Sequence, residues 1–319
     1  VENSLHDLWS IFELINTNYL GPKSSYRMVK VSSVNHQHNN INMINNKLNL
    51  TRLQTLIAPF MLSRKKNDLK DEFDIKPKIH KHHLLELTSE QKDEYNVVVD
   101  SCMDVENQQI EHKQKTMYRI QTVSSLKLIC NDMSGYCRQK KLDIISTQRS
   151  SKLDKLQELV CPGSIIFTQY IETVNSIVTD ITTNSNSKHL CVEKLVGSQS
   201  QLIRSQIIER FQNNEIDVLV ISILANGVGI NLVRSHRVIL FDLWWNPAIM
   251  NQAIDRVHRL GQKNQVEIHW FVTKDTIEEH IHKMLKAKSS IADEISETSV
   301  QWLSRMSKKE LFELLSIKK

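Results

Sequence analysis

Arg256 and Arg259 are the residues whose type and spacing most directly suggest chemistry. A guanidinium stays charged and offers a fork of N–H donors that matches phosphate oxygens. The two are three positions apart, so a helix through them would project both from one face. In nucleotide hydrolysis, paired arginines of this kind stabilise charge on the transferring γ-phosphoryl group. The plainer alternative is a solvated helix with an Asp255–Arg259 ion pair at i,i+4, which contributes little.

The elements around the pair favour the chemical reading. Residues 238–241, Val-Ile-Leu-Phe, form an apolar run short enough for a buried strand, and the run ends at Asp242. Trp244 and Trp245 follow. Asn246-Pro247 then reads as a helix start, with Asn at the cap and Pro at the first helical position. The predicted helix carries Gln252, Asp255, Arg256 and Arg259, and Gly261 stops it.

Taken together, Asp242-x-x-Trp245-Asn246-Pro247 and Gln252-Ala253-x-Asp255-Arg256-x-His258-Arg259-x-Gly261-Gln262 resemble motif VI, with its lead-in, of the Swi/Snf-family ATPases. These are superfamily 2 helicase-like DNA translocases. The Trp-Trp-Asn-Pro-Ala run resembles the subgroup of bacterial members and RING-bearing repair translocases.

Composition is compatible and much less specific. The 319 residues allow about two domains, and 40% hydrophobic with 24% charged residues is ordinary for globular chains. A net charge of +5 tilts mildly towards polyanions. The five cysteines, Cys102, Cys130, Cys137, Cys161 and Cys191, contain no Cys-x-x-Cys pair, which argues against a disulfide framework or a zinc site. His36 and His38 have no third ligand in view, so no metal site is expected. Apolar runs are too short for a membrane span, and no membrane partner is expected.

In chain order, Leu5, Leu8, Trp9, Ile11, Phe12 and Ile15 give an amphipathic helical pattern. Residues 1–21 resemble the segment after motif III of the family, whose Thr-Gly-Thr-Pro would fall directly before Val1-Glu2-Asn3. The expectation is therefore a fragment with lobe 1 upstream. Residues 22–50 are rich in Asn, Ser and His and read as a polar loop or a weak helix. Pro59-Phe60-Met61-Leu62-Ser63-Arg64 and the following Lys65-Lys66 resemble the linker between the lobes, with Ser63 where an Arg is usual. Thr88-x-x-Gln91 reads as a capping box opening a long helical region to about Cys130. Within it, Leu126-Lys127-x-Ile129-Cys130-Asn131 resembles the family's Leu-Arg-Gln-x-Cys-Asn.

From Ser150, helices alternate with apolar runs at 164–169, 190–195, 217–222, 238–241 and 266–273. That rhythm predicts an α/β fold with a doubly wound parallel sheet, whose strand ends would gather the site along one edge. By resemblance, residues 1–50 are the end of lobe 1 with a helical protrusion, and 51–149 are linker and helical insertion. Residues 150–273 are then the RecA-like helicase C-terminal lobe, and 274–319 are C-terminal brace helices.

The resemblance also assigns roles. Gly227 and Gly229 sit in a motif V-like turn and, with Gln252 and Asp255, would bind ATP. Leu224 and Asn226 replace the usual Lys and first Gly of that turn. Gly197 and Ser198, resembling motif IVa, would hold a DNA phosphate at a helix start. Val196 stands where Asp is usual. Arg204, Thr168 and Gln169 would add DNA-backbone contacts, and Trp245 would lie on the DNA path while Trp244 packs inside. Lys152 could reach the 164–169 strand or be solvated, and His258 and His269 are expected to be structural.

No Gly-x-x-x-x-Gly-Lys-[Ser/Thr] and no Asp-Glu-x-His after an apolar strand occur in the chain. The ATP cradle and the Mg²⁺ ligands would therefore lie in lobe 1, and this chain alone would not hydrolyse ATP. The expected partners are double-stranded DNA, lobe 1, and chromatin or transcription proteins. The expected context is chromatin remodelling or DNA repair, in a nucleus or wherever the DNA is. Two rivals stand beside this reading: a strand-separating helicase, and a DNA-binding or regulatory module without catalysis.

Overall fold

The computed structural model describes residues 5–21, 53, 55–60, 76–142, 148–223, 231–287 and 303–317. The chain divides into two compact units, Val1–Asp74 and Ile75–Lys319.

In the first unit, α1 (Leu5–Ile15) buries Leu8 and Phe12 against Leu20 and Leu53. The Trp9 indole donates to the Gly21 carbonyl at 2.9 Å, and Gly21 has φ +77°, a conformation suited to glycine. Ile11 and Ile15, expected on the packed stripe, are 46% and 68% exposed. The stripe is wider than this small core covers.

The second unit is built on a six-stranded sheet, every pair of which is parallel. Its strands are β1 (Ile79–Leu85), β2 (Ser164–Thr168), β3 (Val192–Leu195), β4 (Val218–Ser222), β5 (Arg237–Leu240) and β6 (Glu267–Thr273). The spatial order is β1-β6-β5-β2-β4-β3. Both faces are covered, which is why β2 and β4 are buried at every residue.

Alternation along the strands sorts their side chains into two cores. Ile165, Phe167, Leu219, Ile221, Val238 and Leu240 point to one. Helices α2 (Ser89–Asn107), α3 (His112–Asn131) and α4 (Met133–Lys140) contribute to it. So do α7 (Gln201–Gln212), α8 (Pro247–Val257), α9 (Ile277–Ala287) and α10 (Lys308–Leu315). Ile166, Val218, Val220, Ile239 and Phe241 point to the other, under α5 (Ser151–Leu159) and α6 (Ile171–Thr183).

The predicted parallel α/β architecture is therefore present. Thr88 caps α2 in the expected box: Gln91 N–H donates to Thr88 Oγ1 at 3.2 Å, and Thr88 N–H to Gln91 Oε1 at 3.0 Å. The long helical region expected to about Cys130 is two helices, and a third, capped by Asp132, follows it.

Strand β1 is the element that the sequence reading missed. Its sequence, IHKHHLL, shows neither an apolar run nor clean alternation. It lies at the sheet edge, in register with β6 from Ile79↔Glu267 to Leu85↔Thr273. An edge strand is held by backbone bonds to one neighbour, so its side chains need not be apolar. The sheet thus takes its first strand from residues assigned by sequence to the linker and insertion.

The order of the strands locates a crevice. From β2 the chain winds outward to β3, returns to β4, then crosses to β5 and β6. β2 lies between β4 and β5, so the direction of winding reverses beside it. Ligand crevices of open α/β sheets form at the carboxyl ends of strands at such a point.

Candidate nucleotide and nucleic-acid site

At that switch point the carboxylate of Asp242 is a hub. It accepts from Thr168 Oγ1 at 2.5 Å, from the Gln169 backbone N–H at 3.0 and 3.1 Å, and from Asn131 Nδ2 at 2.9 Å. Asn131 Oδ1 accepts in turn from Lys152 Nζ at 2.9 Å, which also donates to the Phe241 carbonyl at 3.0 Å and to Glu278 Oε1 at 2.7 Å. The other Glu278 oxygen accepts from Thr273 N–H at 2.9 Å and Thr273 Oγ1 at 2.8 Å. The side chains of Lys152 and Glu278 are 1% and 0% exposed. Isolated charges at that depth would be prohibitive, but paired and fully hydrogen-bonded they persist.

Lys127, fully buried, donates to Gln169 Oε1 and lies 5.5 Å from the centre of the Tyr170 ring. Burial lowers its pKa, opposed by the carboxylates of Asp242 and Glu278. The network therefore ties α3, α5, the end of β2, the end of β5 and α9 together.

This burial corrects one sequence assignment. Thr168 is 1% exposed and its hydroxyl is committed to Asp242, so its side chain does not face a DNA phosphate. Gln169 is half-buried just past the carboxyl end of β2. Lys152 does reach the strand ends, as a buried, paired cation rather than a solvated lysine.

Beyond Asp242, α8 begins at Pro247 as expected and ends at Val257. Arg256 is in its last turn and half-buried. Arg259 lies past the helix and is exposed, so the two arginines do not share one helical face. The helix closes with His258 N–H donating to Ile254 O at 2.9 Å; a turn follows in which Gln262 N–H donates to Arg259 O at 3.0 Å. Gly261, with φ +96°, stands third in that turn, where a positive φ is required. Gly261 thus serves this turn rather than the helix end.

Asp255 pairs with Lys78 at 3.0 Å, and Gln252 is exposed. Gln262 is structural: its Nε2 donates to the carbonyls of Val233 and Ser235 at 2.9 and 2.7 Å. His258 Nε2 lies 2.8 Å from the Lys76 carbonyl, and His269 Nδ1 3.0 Å from His83 Nε2, structural settings for both.

The Arg256 Nε is buried without a hydrogen-bond acceptor among the described residues. A donor left in that state fits a phosphate-bearing ligand. The motif V-like turn, with Leu224, Asn226, Gly227 and Gly229, lies outside the described residues, as do Ser63, His36 and His38. Its exit is fixed, because Leu232 N–H donates to Arg256 O at 3.0 Å.

After β3, Gly197 and Ser198 are exposed. Ser198 does not cap the helix. Ser200 does, accepting from Ile203 N–H at 3.4 Å, and α7 begins at Gln201. Arg204, in the first turns of α7, is half-buried with its Nε lacking an acceptor among the described residues. Trp244 and Trp245 are both half-buried against the same core. Burial therefore does not divide them as the sequence reading did.

Because the sheet is parallel, Gln169, the Gly197 turn and the Asp242–Trp245 loop all follow carboxyl ends of strands, on one edge. Sequence reasoning gave no role to Lys127, Asn131 or Glu278. A lysine inside Leu126-Lys127-Leu128-Ile129-Cys130 is a signal it passed over.

Comparison with known proteins agrees with this architecture. Residues 1–134 match the family described as SNF2-related domain, and residues 151–261 the Helicase conserved C-terminal domain. The Bacillus subtilis (strain 168) protein YwqA, described as an ATP-dependent helicase/translocase, is 32% identical over 99% of this chain and 34% of its own length. The chain spans about a third of the length of the curated relatives it matches first. The Sulfolobus solfataricus SWI2/SNF2 ATPase C-terminal domain superposes with TM-score 0.61 at 27% identity, covering 76% of this chain and all of that one. The ATPase core of the same organism in complex with dsDNA gives TM-score 0.61 at 28% identity, covering 100% of this chain and 65% of that one. The sheet is accordingly a RecA-like α/β fold, and the chain belongs to the Swi/Snf family of helicase-like ATPases.

Proposed function

We propose that this chain supplies the second lobe of a DNA-stimulated ATPase that translocates on double-stranded DNA and displaces or remodels proteins bound to it. ATP, held with Mg²⁺ mainly by lobe 1, would supply the phosphoryl-transfer energy. The contribution of this chain is charge and grip. Arg256 and Arg259 meet the γ-phosphate when the lobes close, with Gln252, Asp255, Gly227 and Gly229 around the nucleotide.

Gln169, Gly197, Ser198, Arg204 and Trp245 hold the DNA backbone. Such contacts are independent of sequence and sensitive to salt. Relatives come from bacteria and from yeast, so the action goes with DNA rather than with a nucleus.

The observation that carries the proposal is the contrast at the end of α8. Among the described residues Arg256 keeps a buried Nε without an acceptor and Arg259 is exposed, while Asp242, Lys152 and Glu278 of the adjacent interior are satisfied. The test is ATP turnover by the chain joined to its family's lobe 1, with and without duplex DNA, beside turnover by residues 1–319 alone. Duplex-stimulated turnover in the joined protein and none in the chain alone is expected. Turnover indifferent to DNA would overturn the proposal, and unwinding of a forked duplex would favour a strand-separating helicase.

A further inference from the structure

Gln169 is gripped at two points. Its backbone N–H is bound by Asp242 at 3.0 and 3.1 Å, and its side-chain carbonyl by Lys127. The second grip decides the orientation of the amide. An ammonium has donors and no acceptor, so the amide atom facing it must be the oxygen. The Nε2 group, with two N–H donors, is then turned away from Lys127. Lys127 cannot swing to serve another partner. It is fully buried beside the Tyr170 ring, with Asp242 and Glu278 supplying the balancing charge.

Chemically, a buried cation is spent on fixing a neutral amide. A lysine placed to bind phosphate itself would need to reach solvent. One placed here makes its neighbour a directed donor at the carboxyl end of β2. A fixed N–H donor on a rigid strand end suits one oxygen of a phosphodiester and discriminates poorly among bases, since it meets the backbone.

We propose that Lys127 is a positioning residue: it locks the Gln169 amide so that Nε2 is presented to a phosphate oxygen of the DNA backbone. This rests on the DNA-tracking reading above and adds to it a residue that touches no DNA. The wider network supports the lock, because Asp242 holds the Gln169 backbone and is itself held by Asn131, which Lys152 anchors to Glu278.

The test is a double-mutant cycle on the 319-residue chain, reading affinity for a short fluorescein-labelled DNA duplex by anisotropy at several salt concentrations. Lys127→Met should weaken binding about tenfold, the loss of one charge-assisted hydrogen bond. It should have no further effect in a Gln169→Ala background, and Lys127→Arg should keep most of the affinity. Equal weakening by Lys127→Met in both backgrounds would mean a purely structural lysine and overturn the inference.

If Lys127→Met does not fold, Gln169→Glu replaces it. The new carboxylate still pairs with Lys127 but presents no donor, so affinity should fall with the melting temperature preserved. Unchanged affinity would overturn the inference. Gly197→Asp and Arg204→Glu separate the two levels. If they weaken binding while the Lys127 and Gln169 variants do not, only the positioning role fails. If none of the four weakens binding, the DNA reading itself fails.

Discussion

Two charged regions lie within one stretch of sequence and behave oppositely. At Asp242 the charges are buried, paired and shared among Thr168, Gln169 and Asn131, with Lys152 and Glu278 behind them. One helix further on, Arg256 has a buried Nε without an acceptor among the described residues and Arg259 is exposed. The buried charges of the first region, Asp242, Lys152 and Glu278, have already used their hydrogen-bonding capacity in folding. The second has capacity left for a ligand. Mutation should therefore damage stability in one and chemistry in the other.

The largest effect should come from the arginine end. In a protein carrying both lobes, Arg259→Ala is expected to lower DNA-stimulated turnover by about 10³-fold or more. The melting temperature should stay within a degree or two of the parent, because the side chain is exposed. Lysine should rescue poorly, since it lacks the planar fork. Near-normal turnover by Arg259→Ala would remove the contrast between the two regions.

At the buried end, Lys152→Ala should cost about 3–5 kcal/mol by leaving Glu278 charged and unpaired. Replacing both, as Lys152→Met with Glu278→Leu, should cost much less, since no charge is then stranded. Urea unfolding of the single and double variants measures this. A double variant as damaged as the singles would mean that the hydrogen bonds to Asn131 and Thr273 matter more than the charges.

A third kind of buried group sharpens the comparison. His269 and His282 are buried and neutral, their pKa values pulled down to about 4 chiefly by burial. The unfolded chain binds protons at these sites below about pH 6.5, whereas the folded chain does not until about pH 4. Stability is therefore complete above that window and falls as pH drops through it, by about 1.4 kcal/mol per pH unit for each histidine. Urea midpoints between pH 7 and pH 4, for the chain and for His282→Gln, should show a shallower slope in the variant. Equal slopes would place the titrating groups elsewhere.

The smallest effect should be at the surface turn. A Cβ at Gly197 meets nothing within 4 Å, so Gly197→Asp adds charge without strain from crowding. Duplex affinity should fall severalfold and equally on unrelated sequences, with the loss shrinking as salt rises. A loss confined to one sequence would contradict backbone recognition.

Much of this was legible in the amino-acid order. The apolar runs behind β2, β4 and β5 are long enough and pure enough to be buried parallel strands, and they are. Thr88 and Gln91 announced their helix because a capping box is a local interaction. Strand β1 was not legible, because backbone pairing with β6 rather than an apolar pattern holds it. The Gly197-Ser198 turn was expected to open a helix, but α7 begins only at Gln201, with Ser200 as its cap.

The sequence by itself determined the local elements, their alternation and the family motifs that carry Arg256 and Arg259, because each depends on residues close together in the chain. The partners of buried charges were decided by the tertiary structure alone. Lys152 finds Glu278 from 126 positions away and Asn131 finds Asp242 from 111. Desolvation makes such pairing obligatory once the groups are buried, but it leaves no periodicity in the chain to show which residues will meet.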